Sequence, residues 1–472
     1  MFLIGKNTVY EFSPNSPMNF SGKTHCMGFS RHKVRNLSGS DTNTKPEDWL
    51  NTECRKFEEE KNNNLRIPTH SDGHDFTIDG LYSDQKEVVT VVMDKIMEWA
   101  TCNDYSKFVP LRMTLNGPAG TGKTIVINTI VALIRTLFQD NDVVQVCAPT
   151  GTAAFNAGGE TLHHLFGNTP NQMNYQPHSM GAKKLEKLAS KFKNLLCLII
   201  DERSLIDSHL LGISEQMMSE SIHDGQLAHE SWGKLPVLIL VGDDYQLPGI
   251  SEGAFGVHSN TQCSKMAQAG RQHFEECTNF VMSLSTSKRI QDQQKDDKLL
   301  MERLRTAKDL TENQVQKLLS LHLDEIQARH GVRVVTEIRE KAIYLFYKNH
   351  KRIYKNLEML IDHSSKANPV AICKTKSEGL HNGMAIRSHF KKSDIPKSAM
   401  ICVGSKVALE NRNFNPTWGL HNGAVGIVDE IVFEKGKSPN NGDLPQYVVV
   451  TFPQYVGPTW DQDNPKVSYC SS

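Results

Sequence analysis

Gly117-Pro118-Ala119-Gly120-Thr121-Gly122-Lys123-Thr124 stands between two apolar runs, Leu111-Arg112-Met113-Thr114-Leu115 and a longer one from about Thr124 to Phe138. The first run reads as a buried strand and the second as a helix. The stretch between them has the spacing of a phosphate-binding loop. Its glycines let backbone N–H groups wrap a phosphate chain, and the helix that follows turns its positive end toward the anion. Lys123 would then reach the β- and γ-phosphates, and the Thr124 hydroxyl would hold Mg²⁺. The competing reading is a fortuitous glycine turn, which the strand-before, helix-after context disfavours.

Outward from this loop the pattern repeats. Upstream, Ser83 or Asp84 can cap a helix in which Val88, Val92, Ile96 and Trp99 share a face. Downstream come apolar strands at Val143–Ala148, Leu195–Ile200 and Val237–Val241. Strands alternating with helices predict an α/β fold, a parallel sheet with helices on both faces. Such a sheet presents its ligands at the carboxyl ends of its strands. The third strand ends there in Asp201-Glu202. Asp201 is suited to hold Mg²⁺, and Glu202 to orient and deprotonate an attacking water. The fourth breaks into Gly242-Asp243-Asp244-Tyr245-Gln246-Leu247-Pro248. Its Gln246, an uncharged donor and acceptor, suits sensing of a γ-phosphate. Ordinary strand ends with exposed polar groups are the alternative in both places.

A chain of 472 residues is too long for one ordinary core. The charges balance, 53 Lys and Arg against 53 Asp and Glu, so an anionic partner must be held by local basic patches rather than by net charge. The ten cysteines contain no Cys-x-x-Cys pair. Cys147 and Cys197 lie in apolar runs and read as buried free thiols, a pattern that suits a reducing compartment. No apolar stretch approaches the roughly 20 residues of a membrane span. The expected location is intracellular, the nucleus first and the mitochondrion second. Residues 1 to about 78 are rich in Asn, Ser, Thr and Gly and read as a loosely ordered extension. His70, Asp72, His74 and Asp75 within it read as a polar loop rather than a metal site, because no second ligand cluster has recognisable spacing. The expected organisation is then a phosphate-loop domain over about 79–270, a second region over 271–403 and a β-rich segment over 404–472. Within the second region, Asp296–Leu319 reads as helical and Ala342–Tyr347 as a strand. Lys406–Leu409, Ala424–Val428 and Tyr447–Phe452 read as short strands between Gly and Asn turns.

Taken together, these motifs resemble superfamily-one DNA helicases, specifically the Pif-type and RecD-like branch that includes Helitron helicases. The resemblance covers about Leu81 to Val467. It implies a RecA-like phosphate-loop NTPase fold with an incomplete second RecA-like domain and the start of a small β-barrel insertion. Within Leu81-Tyr82-Ser83-Asp84-Gln85 the family's adenine-reading glutamine falls on Gln85. Ala148-Pro149-Thr150-Gly151-Thr152-Ala153-Ala154 with Gly159-Glu160-Thr161-Leu162-His163 resembles the segment that touches single-stranded DNA, placing Thr150 and Gly151 toward phosphates and His163 toward a nucleotide. His163 also reads as a buried, hydrogen-bonded histidine. Leu284-Ser285-Thr286-Ser287-Lys288-Arg289 resembles the arginine motif, which would bring Arg289 to the γ-phosphate; a surface arginine is the alternative. Tyr344–Asn356 interleaves aromatic and basic residues, either to track DNA or simply as a solvated helix face. Gly404–Asn411 and Gly419–Gly426 resemble the entry to the barrel, with Asn422-Gly423 suited to a tight turn.

The implied activity is ATP-driven, Mg²⁺-dependent unwinding, 5′ to 3′, at single-stranded DNA and duplex junctions, with roles in repair, recombination or telomere upkeep. Two departures stand out. Gly249 replaces a second proline after Gln246-Leu247-Pro248. After Tyr455-Val456-Gly457-Pro458 the sequence closes on Val467–Ser472, without the family's Thr-x-His-Lys-x-Gln-Gly stretch and final arginine motif. From this one expects ATP binding to be kept, hydrolysis to be weak and unwinding by this chain to be impaired. The other classes to weigh are a degraded ATP- or DNA-binding module, and an unrelated phosphate-loop enzyme such as a small-molecule kinase.

Overall fold

The computed structural model describes residues 65–69, 74–167, 180–222, 230–246, 264–286, 295–374, 380–381, 384–385, 398–409, 415–457 and 467–471. The chain divides into two compact units, one of which is Asn64–Val315.

That unit is built on six parallel strands in the order β3-β2-β4-β5-β1-β6. They are β1 (Leu111–Asn116), β2 (Val144–Ala148), β3 (Glu160–Thr161), β4 (Cys197–Ile200), β5 (Val237–Gly242) and β6 (Val281–Ser283). The central strands β4 and β5 are buried along their whole lengths. Their side chains alternate between two cores, as the pleat requires. Cys197, Ile199, Val237, Ile239 and Val241 face one core, which is completed by Val88, Val92 and Ile96 of α1 (Ser83–Thr101) and Val126, Ile130 and Ile134 of α2 (Lys123–Phe138). Leu198, Ile200, Leu238 and Leu240 face the other, against Leu211 and Met217 of helix Ser208–Ser221. Helices on both faces of a parallel sheet are the expected α/β architecture. Cys147 and Cys197 are buried free thiols, and burial pushes both pKa values up.

Three details differ from the sequence reading. The cap of α1 is Tyr82, whose N–H donates to the Gln85 side chain at 3.1 Å. Asp84, expected to cap, accepts from the adjacent Gln85 N–H (3.0 Å) and, with its other oxygen, from the N–H groups of Ser285 (2.9 Å) and Thr286 (3.2 Å). The unit also runs past residue 270 to Val315, because β6 extends the sheet beside β1 and the helix Lys295–Arg305 ion-pairs back to Asp243. At its start the unit reaches back to Asn64, not 79. Arg66 is held there at both ends of its backbone: its N–H donates to Asn141 and its carbonyl accepts from Arg135, both at 2.6 Å.

The described part of the other unit lies within Gln316–Ser472. It holds a four-stranded antiparallel sheet of Lys406–Ala408, Val425–Val432, Tyr447–Thr451 and Val467–Ser471. Its core gathers Val407, Leu409, Trp418, Val428, Val448, Val450, Phe452 and Tyr455. Gly423 turns at φ 91°, the left-handed conformation that its Asn-Gly sequence suits. Ala342–Tyr347 forms no strand: an alternating pattern supplies a face but not a neighbour, and among the described residues nothing pairs with it. The basic and aromatic residues that follow it sit on helix Asn349–His363.

Candidate active site

Strand register sets the site. Ile200 pairs with Leu240, which pairs with Thr114, so β4, β5 and β1 end side by side at one edge. Asn116 pairs with Gly242, and the Gly117 N–H donates to the Gly242 carbonyl at 3.1 Å, which fixes where the phosphate loop begins. Within the loop Gly120 and Gly122 hold φ of 86° and 83°. A Cβ at Gly122 would also strike the Gln85 amide, so glycine is required there twice over. Thr121 Oγ1 donates to the Pro118 carbonyl at 2.9 Å. Lys123 Nζ lies over the loop, donating to the carbonyls of Gly117 (2.7 Å) and Pro118 (3.3 Å). Thr124 is exposed in the first turn of α2.

Gln85 is buried, and its amide does double duty. Nε2 donates to the Thr121 carbonyl at 2.9 Å while Oε1 accepts from Tyr82. It therefore braces the phosphate loop as well as lining the cavity beside it. That cavity, about 310 Å³, is walled by Tyr82, Gln85, Gly120–Gly122, Ile125 and Thr286, and by His74, Asp75, Phe76 and Thr77. The last four come from the segment read as a loose extension. A bridge between Thr69 and Asp75 links that segment to the anchored Arg66 stretch. His70 and Asp72 lie outside the described residues, and no metal-binding cluster of His, Cys, Asp or Glu occurs among the described ones.

Asp201 and Glu202 follow β4 directly. Asp201 is 7% exposed, and burial raises its pKa to about 6; the neighbouring Glu202 charge adds to the rise, while the Glu202 N–H bond and the Lys123 charge oppose it. Lys123 thus acts electrostatically on Asp201, as a shared phosphate site requires. An acid with a raised folded pKa destabilises the fold when ionised. The cost is absent below the unfolded value of 3.8 and complete above about 6. Metal-free protein should therefore lose stability as pH rises between those values. Asp201→Asn is expected to stabilise it by about 1–3 kcal/mol at neutral pH, read from urea unfolding midpoints. An unchanged or lowered midpoint would contradict this.

The turn after β5 is held by two arginines that the sequence reading did not single out. Arg203 is 3% exposed and donates to both the Asn116 side chain and Asp244. Arg305 pairs with Asp243 at 2.6 Å and stacks 4.5 Å from the centre of the Tyr245 ring. The Gln246 N–H donates to the Asp243 carbonyl at 3.1 Å. Arg289 lies outside the described residues, as does Gly249.

The DNA-segment candidates lie after β2. Thr150 caps helix Gly151–Asn156, its Oγ1 accepting from the Ala153 N–H at 3.3 Å; its own hydroxyl proton stays available to an acceptor such as phosphate. Gly151 is buried and His163 half-buried, and burial lowers the His163 pKa against the opposing charge of Asp207. His163 is thus neutral at physiological pH and partly accessible. His164 is exposed and bonds Glu160, which also holds Lys191.

Residues 80–313 match the family model of PIF1-like helicases. That segment belongs to the PIF1-like helicase family. Among its relatives, the ATP-dependent DNA helicase PIF1 of Candida albicans is 29% identical over 168 residues, 36% of this chain and 17% of that protein. The Saccharomyces cerevisiae helicase RRM3 is 32% identical over 146 residues, 29% of this chain and 18% of that protein. The chain thus aligns with less than a fifth of either relative's length. The crystal structure of Pif1 helicase from Candida albicans shares the fold, with a TM-score of 0.53 at 20% identity, over 82% of this chain and 81% of that one. The PIF1-like segment lies within the Asn64–Val315 unit and includes its phosphate loop and acid pair. Among the described residues no helix is long and apolar enough to cross a membrane.

Proposed function

We propose that this chain is an ATP-dependent DNA helicase motor that couples nucleotide hydrolysis in the Asn64–Val315 unit to movement on single-stranded DNA and unwinding at duplex junctions. The observation that carries this reading is that β1 and β4 end at one sheet edge, where the Lys123 charge after β1 is felt by Asp201 after β4.

In this reading Gly117, Pro118, Ala119, Gly120, Thr121 and Gly122 wrap the triphosphate with backbone N–H groups, and Lys123 leaves its loop carbonyls for the β- and γ-phosphates. A buried carboxylate with a raised pKa and a nearby threonine hydroxyl are hard oxygen donors that suit Mg²⁺. Asp201 and Thr124 would hold the ion, which would neutralise phosphate charge. Glu202 takes the proton of the attacking water, Gln246 reads the γ-phosphate, and Arg289 supplies transition-state charge. Gln85 and the His74–Thr77 wall receive the base. Thr150, Gly151 and His163 face DNA. The 5′-to-3′ direction, a nuclear or mitochondrial location, and roles in repair, recombination or telomere upkeep belong to the same proposal.

The test is ATP hydrolysis by purified chain with and without single-stranded DNA. Saturable stimulation by DNA, and none by small metabolites, is expected. Turnover indifferent to DNA would sink the proposal. A finer expectation concerns the wall. Phe76→Ala removes an aromatic face from the base cavity, worth about 1–1.5 kcal/mol, and should raise the ATP KM roughly tenfold with kcat kept. An unchanged KM would place the base elsewhere.

A further inference from the structure

Two consecutive aspartates follow a buried strand, and each is held by an arginine from a different part of the chain. Asp243 is 3% exposed and carries its charge beneath the turn; Arg305, at the end of helix Lys295–Arg305, meets it at 2.6 Å. The same carboxylate oxygen accepts the Tyr245 N–H at 3.1 Å, and the Asp243 carbonyl accepts the Gln246 N–H. Asp243 therefore organises the backbone up to Gln246, and Arg305 neutralises it. Removing that partner would leave a buried charge uncompensated. Asp244 is bound by Arg203, the residue directly after Glu202. The same Arg203 nitrogen holds Asn116, the last residue of β1 before the phosphate loop, and its side chain packs so closely on Gly242 that a Cβ there would strike it. One buried guanidinium thus touches the phosphate-loop strand and the Gln246 turn and is continuous in sequence with the acid pair.

We propose that Arg203 and Arg305 are positioning residues for hydrolysis: they clamp the Asp243–Gln246 turn from two sides so that Gln246 is set against Glu202 and the phosphate loop. Neither arginine touches the reacting atoms; they act through the turn. The proposal rests on the helicase reading and names the parts that align its sensor. Arg305 is the tighter handle, because it holds the buried aspartate, whereas Asp244 is 54% exposed at its side chain and its pair is screened by solvent.

The test compares wild type with Arg305→Ala, Arg305→Lys and Asp244→Ala, which avoid replacing the buried Arg203. The measurements are kcat and KM for DNA-stimulated ATP hydrolysis, and hydrogen exchange at the Tyr245 and Gln246 amides. Arg305→Ala should lower kcat about 10- to 100-fold through misplacement of Gln246. Its KM for ATP should stay within about twofold, because ground-state binding lies in the loop. Exchange at both amides should quicken, Arg305→Lys should recover part of the loss, and Asp244→Ala should show a smaller effect of the same kind. Unchanged kcat overturns the proposal. So does a parallel loss of kcat, ATP affinity and melting temperature that lysine does not relieve, since that marks a merely structural pair. If wild type itself fails to hydrolyse ATP, the helicase reading fails instead. The exchange comparison then still decides whether Arg305 holds the turn, and unchanged exchange overturns the clamp.

Discussion

Glu202→Gln is expected to cut DNA-stimulated ATP turnover about a thousandfold while leaving ATP binding nearly intact, because only proton acceptance is lost. Glutamine keeps the size and hydrogen-bonding reach of the side chain but takes no proton from water. The backbone at position 202 is held in one conformation. It lies at φ 51° and ψ 45°, a left-handed conformation that costs a non-glycine residue on the order of 1 kcal/mol. Asp201 accepts its N–H at 2.8 Å, and its carbonyl accepts from Leu205 at 3.0 Å. Such strain at the carboxyl edge of a phosphate-loop sheet fits a residue whose direction matters. The measurement is steady-state hydrolysis beside fluorescent-nucleotide binding. A variant with more than about a tenth of wild-type turnover would remove Glu202 from the role of base.

Lys123→Ala should be comparably severe in turnover, a loss of about 100- to 1000-fold, but by a different route. The lysine lies over the phosphate loop, and its removal should weaken nucleotide binding as well as turnover. A secondary effect follows from its position. The Lys123 charge opposes the burial that raises the Asp201 pKa, so its loss should raise that pKa further and make the carboxylate harder to ionise. Nucleotide binding by the variant should then fall more steeply than wild type as pH drops toward 6. DNA retention in the absence of ATP should not change. A motor loses DNA-stimulated hydrolysis under this substitution and keeps its grip on DNA; a protein that only binds DNA shows no difference at all. Retained hydrolysis would place the phosphates away from Lys123.

The sheet and the residues that stand at its edge were readable from local pattern. Continuous apolar runs of strand length, a glycine-rich loop between strand and helix, and two acids at a strand end are short-range signals set by backbone period and loop geometry. The positions of Lys123, Asp201 and Glu202 just beyond β1 and β4 were read this way, and so was a sheet covered on both faces; which of the two cores a strand residue joins follows from its parity along the strand. The edge strands Glu160–Thr161 and Val281–Ser283 were missed. The first is too short to show a period, and the second has only one neighbour to bury it.

The tertiary structure alone decided which distant side chains meet. Asp84 accepts the N–H of Gln85 in its own helix with one oxygen and reaches the backbone 201 residues further on with the other. Arg305 finds Asp243 across 62 residues and Arg203 finds Asn116 across 87, through strand order that no local period encodes. Phe76 and its neighbours join the cavity wall although their composition is that of a loop. A sequence fixes the period and the chemistry of each element by itself; the partners of buried charges are set only when strands from separate parts of the chain lie side by side.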